Sequence, residues 1–418
     1  MRWRLSSLLC LLTLLMVAPG CGLRTLKQSL RFFDGRATVE GRARLADGGA
    51  SPIVVVAYDT EEAEVADLYV MPRPRNFLFV LPPGVYRLAA FEDRNRDLVH
   101  QADSEPAVLH DEDLELGPGE EHGGSELVID NDAPRTPLPF SIDGVAVADG
   151  NIRRFPAPQL GTIVKLSDAR FSDENARTGL WDPVRFLSTI GAGVYFLEKH
   201  DPAKTPVLFV HGALGHPGNF SYLADSIDRS RFQPWFVYYP TAPHLDRIAT
   251  LLVRALAALH VKYDYSRLII VAHSMGGLVA RGAINLAAED EYPRDVVEVP
   301  ALITVSSPWN GHPAAAKGVE RSPVVAPSWR DMAPGSRFLS SLAATPLPPE
   351  CEHWLFFGFR GSGGRVPNDG TVTLRSQLAM PIQLQADRVL GFDESHTSIL
   401  RSAEVAQRLN EILDAAAE

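Results

Sequence analysis

The chain has 418 residues, 45% of them hydrophobic and 22% charged, with a formal net charge of −11. That length is more than one average domain needs and ample for a packed core, so two domains are expected. Charges of both signs are interspersed without a long basic run, which argues against a nucleic-acid partner, and the acidic balance argues against electrostatic recruitment to anionic membranes.

The first residues read as a targeting segment rather than as part of a fold. Arg2 and Arg4 precede an apolar run from Leu5 to Ala18 that only Ser6, Ser7 and Thr13 interrupt, and Pro19-Gly20-Cys21 ends it. A charged start and a short apolar stretch make residues 1–20 a secretory signal, too short for an ordinary membrane span. Val17-Ala18-Pro19-Gly20-Cys21 resembles a bacterial lipobox, although Ala18 stands where leucine is usual. The resemblance implies a diacylglyceryl group on Cys21 and an exported lipoprotein held on a bacterial membrane. Gly22 rather than aspartate follows, which favours the outer membrane where the cell has one. Simple cleavage of the signal and an uncleaved anchor are the alternatives. Cys10 leaves with the signal, so only Cys351 remains beside Cys21; no intrachain disulfide and no cysteine zinc site are expected.

Residues 21–35 read as a tether. Residues 36–131 alternate short β-prone runs (Thr38–Arg44, Ile53–Tyr58, Asn76–Val80, Val85–Phe91, Glu126–Ile129) with turn signals such as Asp47-Gly48-Gly49 and Pro82-Pro83-Gly84. This spacing predicts a small antiparallel β-sandwich. The run from Phe77 to Tyr86 resembles the hairpin of carboxypeptidase-regulatory-like or transthyretin-like modules. Asp93, Asn95 and Asp97 begin a calcium-loop spacing, but Leu98 replaces the required glycine and Arg94 and Arg96 intervene, so a polar loop is expected. Residues 132–175 are a linker with a connecting strand or two. From 176 to 418 strand-like and helical runs alternate, the pattern of a mostly parallel α/β sheet flanked by helices. The expected strands are Pro206–Val210, Trp235–Tyr239, Leu268–Ala272, Ala301–Val305 and Trp354–Phe359. The expected helices are Phe220–Ile227, Leu245–Val261, Gly277–Ala288 and Ser398–Ala415.

Four segments carry chemistry. Val271-Ala272-His273-Ser274-Met275-Gly276-Gly277 puts a serine where a buried strand turns sharply into a helix, with small residues two before and two after it. It resembles the nucleophile elbow of α/β-hydrolases, with Ala272 in the first glycine position. Val207 to Gly215 is a strand followed by His211-Gly212. The resemblance makes the next amide, Ala213, one half of an oxyanion hole and Met275 the other, with His211 holding the loop. Asn368-Asp369-Gly370-Thr371-Val372 resembles the segment that bears the triad acid in bacterial lipases; Asp331 and Asp393 are reserves. His396, on a loop before the last helix, completes the order Ser, Asp, His of this superfamily. Ser362 is also flanked by glycines, but Arg360 stands where a small residue is needed and no helix follows.

From about Trp181 to Ala415 the chain is similar to bacterial triacylglycerol lipases and inositol-deacylase-like hydrolases. That implies a catalytic triad of Ser274, Asp369 and His396, acting through an acyl-enzyme on acyl esters, lipid-like ones included, without metal or organic cofactor. Residues 307–350 form a lid-like insertion. There Trp309, Trp329, Phe338, Leu339 and Leu342 either line an acyl pocket or cover the sheet. An acyltransferase on the same triad, a peptidase, or a non-catalytic binding lipoprotein are the competing readings.

Overall fold

The computed structural model describes residues 20–132, 138, 159–289, 297–361 and 366–417. The expected signal lies outside them except for Gly20, as does the side chain of Cys21. Among the described residues no helix is long and apolar enough to cross a membrane.

Residues 23–34, expected to be a tether, instead form a helix, Gly20–Asp34. The reason is a helical period in the sequence: Leu26 and Leu30 are one turn apart, and Leu26 is fully buried in the core of the C-terminal domain with Leu30 packed against it. Thr25 donates to Trp181 O at 3.1 Å and Ser29 to Asp182 Oδ1 at 3.1 Å. Tertiary contact thus orders a segment that is polar in composition.

Eight strands follow: β1 (Ala37–Leu45), β2 (Ile53–Asp59), β3 (Glu64–Met71), β4 (Arg75–Leu81), β5 (Gly84–Glu92), β6 (Ala107–Leu109), β7 (Leu114–Leu116) and β8 (Glu121–Ile129). They make two sheets, β4-β1-β8 and β3-β2-β5-β6, with β7 also paired to β5. Val39, Ala43, Val55, Ala57, Phe79 and Leu88 fill the space between them. The pairings are antiparallel except that of β1 with β8, which is parallel. The chain reaches β8 only after crossing the second sheet, so no hairpin imposes the antiparallel direction on that pair. Gly41 sits at the irregularity in this pairing, where a Cβ would lie 2.3 Å from the Phe77 ring. In the loop after β5 the Asp93 carboxylate accepts the Asp97 and Leu98 amides, both at 3.2 Å, and Glu105 accepts those of Arg94 and Gln101 at 2.8 and 3.0 Å. Its acids are therefore occupied by the loop's own backbone. The module rests on the second domain through Arg254, which donates to Leu68 O at 2.6 Å and pairs with Asp67.

The second domain is an eight-stranded sheet: β9 (Gln159–Ile163), β10 (Gly193–Phe196), β11 (Thr205–Val210), β12 (Phe232–Tyr238), β13 (Ile269–His273), β14 (Ala301–Val305), β15 (Glu352–Gly358) and β16 (Arg388–Phe392), in the order β16-β15-β14-β13-β11-β12-β10-β9. The six strands β11 to β16 are mutually parallel, and β10 is antiparallel to β12. Every residue of β12, β13 and β14 is buried, as helices on both faces require. Along β11 the alternation sends Leu208 and Val210 to one face and Val207 and Phe209 to the other. The helix after β11, Ser221–Ser226, packs on the second face, whereas Leu245–Tyr263 and Met275–Glu289 pack on the first. The connections from β11 and β13 therefore leave in opposite directions. The crevice at the carboxyl ends of such neighbouring strands is where open α/β sheets bind ligands.

In the insertion, helices Pro313–Arg321, Pro327–Asp331 and Arg337–Ala344 form. Trp309, Trp329, Leu339 and Leu342 are buried in the core shared with Met275–Glu289, and Phe338 is packed against it. These side chains cover the sheet's helical layer.

Candidate active site

β13 ends at His273, and the next residue, Ser274, has φ of +54°, a left-handed conformation that costs a non-glycine residue roughly 1–2 kcal/mol. The surroundings over-determine it. The Ser274 amide donates to Val305 O at 2.8 Å, and Gly277 N donates back to Ser274 O at 3.0 Å. A Cβ on Gly276 would lie 2.3 Å from Val210 O, and one on Gly277 would lie 2.1 Å from Ser307 Oγ. The strand-to-helix turn thus closes only around glycine, and it lifts the serine hydroxyl off the sheet edge.

The carboxyl end of β11 approaches the same hydroxyl. A Cβ on Gly212 would stand 2.7 Å from Ser274 Cβ. Gly215 N donates to Gly212 O at 3.0 Å across a turn in which Leu214 has φ of +56°, and that bond does not use the Ala213 amide. Met275 is the first residue of its helix, so its amide has no partner within the helix. Ala213 and Met275 are thus the residues that directly follow Gly212 and Ser274 at the ends of the two neighbouring strands.

His211 is buried and braces this turn. Its Nδ1 donates to Gly212 O at 2.8 Å, its ring stacks on Tyr239 at 4.1 Å, and Tyr239 OH donates to His211 O. Burial lowers its pKa to about 3, which keeps the imidazole neutral.

β15 and β16 deliver the other two side chains. The loop after β15 carries Asp369, fully buried, and the loop after β16 carries His396. His396 Nδ1 lies 2.7 Å from Asp369 Oδ2, and His396 Nε2 lies 3.0 Å from Ser274 Oγ. Asp369 Oδ1 accepts the Thr371 and Val372 amides at 2.9 and 2.7 Å. Burial alone raises the carboxyl pKa, but the His396 hydrogen bond and charge together with those amides outweigh it and hold Asp369 below its ordinary value. The backbone ties the two loops together, with His396 N donating to Asp369 O at 2.8 Å. Serine, imidazole and carboxylate are thus linked in one line, which allows the imidazole to take a proton from the hydroxyl while the carboxylate fixes its tautomer. The reserve acids lie elsewhere: Asp331 accepts the Leu245 amide at 2.8 Å and faces His244, and Asp393 pairs with Arg360.

A family model described as "Putative serine esterase (DUF676)" matches residues 245–329, the stretch holding Ser274 and its helix. The chain is an α/β-fold serine hydrolase. No curated protein matches its sequence significantly. Among solved structures, a Listeria innocua gene product is 16% identical, covering 50% of this hydrolase and 94% of that chain with a TM-score of 0.40. The mature lipase BlEst2 of Bacillus licheniformis is 19% identical over 51% of this chain and 94% of its own, with a TM-score of 0.41. Phospholipase PlaB from Legionella pneumophila is 16% identical over 42% and 45%, with a TM-score of 0.36. These values are low, and the fold is read from the hydrolase's own sheet order.

Three supporting residues carry no local sequence signal. Gln377, buried, accepts the Gly358 amide at 3.1 Å and donates to Gly358 O and Val372 O at 3.1 Å each, which fixes the acid loop against β15. His312 Nε2 donates to Thr371 O at 2.9 Å and joins the insertion to the same loop. His273, within the elbow, donates through Nε2 to His396 O at 2.8 Å; burial and then the charge of His396 lower its pKa to about 3, so it stays neutral beside the triad-like line. Only the fold shows what each of them touches. Among the described residues, no group of three or more His, Cys, Asp or Glu is placed to hold a metal.

Proposed function

We propose that this hydrolase is a carboxylic-ester hydrolase, an esterase or lipase, with Ser274, His396 and Asp369 as its catalytic triad. The observation that carries the reading is the continuous line from Asp369 through His396 to a serine held at positive φ. In the reaction, Ser274 Oγ attacks the ester carbonyl as His396 Nε2 takes its proton, forming a tetrahedral oxyanion. The Ala213 and Met275 amides hold that oxyanion; such donors are worth roughly 3–4 kcal/mol each. His396 then protonates the leaving alcohol, and the acyl group stays on Ser274. Water, deprotonated by the same imidazole, attacks the acyl-enzyme and releases the acid. The lipase resemblance of the sequence points to lipid-like esters, and the lipobox resemblance of Cys21 to an exported, membrane-anchored chain.

The test is fluorophosphonate labelling together with a series of p-nitrophenyl esters of increasing chain length. Ser274→Ala should abolish labelling and lower turnover roughly a million-fold. Labelling of that variant at the wild-type rate would overturn the assignment.

A further inference from the structure

The helix Gly20–Asp34 is docked on the second domain, where Leu26 is buried and Thr25 bonds Trp181 O. Its buried side holds Leu26 and Ser29, while Arg24, Lys27, Gln28 and Arg31 are exposed. At 100° per residue these four fall on one face, opposite Leu26. The three cations form none of the salt bridges seen among the described residues, and the helix's one acid, Asp34, lies one turn beyond Arg31, so the face keeps a net positive charge of two. The chain's net charge of −11 is spread over the whole molecule, and charges more than about 8–10 Å from a negative surface are largely screened from it at physiological salt. Within that distance of this helix the exposed cations Arg24, Lys27 and Arg31 outnumber the helix's one acid.

The docking place is equally specific. Val210 pairs with Val237 and with Ala272, so the residues after β11, β12 and β13 emerge at one edge of the sheet, the edge that carries Ser274. After β12, Thr241 N and Ala242 N donate to Gly179 O at 3.0 and 3.2 Å, and Ala242 O accepts Ser328 N at 3.0 Å. Leu180 and Trp181, against which the N-terminal helix packs, therefore lie at that same carboxyl edge. Trp181 meets Trp329 of the insertion edge-to-face at 5.8 Å. The helix, the insertion and the candidate site share one end of the domain.

We propose that the Arg24–Lys27–Arg31 face lies on an anionic lipid surface and holds the carboxyl edge of the sheet, with Ser274, next to that surface. The substrate is then an ester presented within the bilayer. This last step rests on the ester-hydrolase reading, whereas the lipid contact does not.

The experiment compares the full chain with its Arg24→Glu/Lys27→Glu/Arg31→Glu variant. Their partitioning onto phosphatidylcholine vesicles is measured with and without about 30 mol% phosphatidylglycerol. The ratio of the two cancels whatever the leader contributes. The substituted positions are exposed and outside the site, so turnover of soluble p-nitrophenyl acetate should not change. The wild-type ratio should exceed that of the variant by roughly five-fold for each of the three positive charges removed, at least on the order of a hundred-fold since the added carboxylates act in the same direction, and should collapse in about 0.5 M salt. Turnover of an ester embedded in the anionic vesicles should fall in parallel. Equal ratios for the two chains would overturn the lipid contact. A lost ratio with undiminished turnover of the embedded ester would overturn the orientation. Failure of both chains on every ester would instead strike the hydrolase reading and leave the binding ratio to decide the contact.

Discussion

Replacement of Asp369 by Asn isolates what the buried acid does. The substitution keeps shape and volume at a fully buried position. Two amides, Thr371 at 2.9 Å and Val372 at 2.7 Å, point at one carboxylate oxygen, so that place must still hold an acceptor. The asparagine oxygen therefore stays there and its NH2 group is forced toward His396 Nδ1, 2.7 Å away in the wild type. Nδ1 must then accept, which moves the ring proton to Nε2, the atom 3.0 Å from Ser274 Oγ. A protonated Nε2 cannot take the serine proton. The expected loss in kcat is roughly 10⁴-fold, about 5–6 kcal/mol of barrier, with little change in stability because both amides keep their partner. The assay is steady-state hydrolysis of p-nitrophenyl butyrate alongside the rate of fluorophosphonate labelling, with Asp331→Asn and Asp393→Asn as controls expected to stay near wild type. A variant within ten-fold of wild type would refute the assignment of the acid, and so would an equal loss in either control.

Stability should depend on pH in a stated direction. His211, His273 and His353 have folded pKa values of about 3, chiefly from burial, so their contribution is complete above the unfolded value near 6.5 and is lost as pH falls toward 3. His244, raised by its hydrogen bond to Asp331, acts in the opposite sense but is half-exposed. Three extra protons on the unfolded chain make the slope on the order of 4 kcal/mol per pH unit below 6.5, and a urea midpoint unchanged between pH 7.5 and pH 5 would contradict it. Gln377→Leu leaves Gly358 N and Gly358 O without their buried side-chain partner, while Val372 O keeps the Asp369 amide at 3.1 Å. At about 1–3 kcal/mol each, the loss in denaturant stability should reach at least about 2 kcal/mol, and turnover should fall with it as the acid loop loosens. Ser274→Gly should be more stable than Ser274→Ala by about 1 kcal/mol, because only glycine adopts the positive φ at that elbow without cost; calorimetry showing the reverse order would contradict the strain.

Much of the catalytic domain was legible in the sequence because buried parallel strands are written as unbroken apolar runs. Pro206–Val210, Leu268–Ala272 and Ala301–Val305 announce β11, β13 and β14 in this way. β10 and β16 carry no such run, being short and bounded by glycine or charge, whereas β9 is a connecting strand of the kind expected within residues 132–175. Ser274 was conspicuous because the geometry of its turn demands small neighbours, a constraint that local sequence must record. Asp369 and His396 were singled out by motif and order, whereas Gln377 and His312 were invisible, since hydrogen bonds to backbone across 19 and 59 residues leave no local pattern. The N-terminal helix was missed for a similar reason. Its composition is polar, and only the surface offered by Leu180 and Trp181 makes burial of Leu26 favourable.

The amino-acid sequence by itself determined which strands are doubly buried, where the chain must turn on glycine, and which serine sits at such a turn, because these are demands of neighbouring residues on one another. Tertiary structure alone decided which acid faces His396, where the insertion's tryptophans go, and that the N-terminal segment is docked at the end of the sheet that bears the serine. Each of those depends on surfaces distant along the chain, and contact free energy is a property of the pair that meets, not of either partner alone.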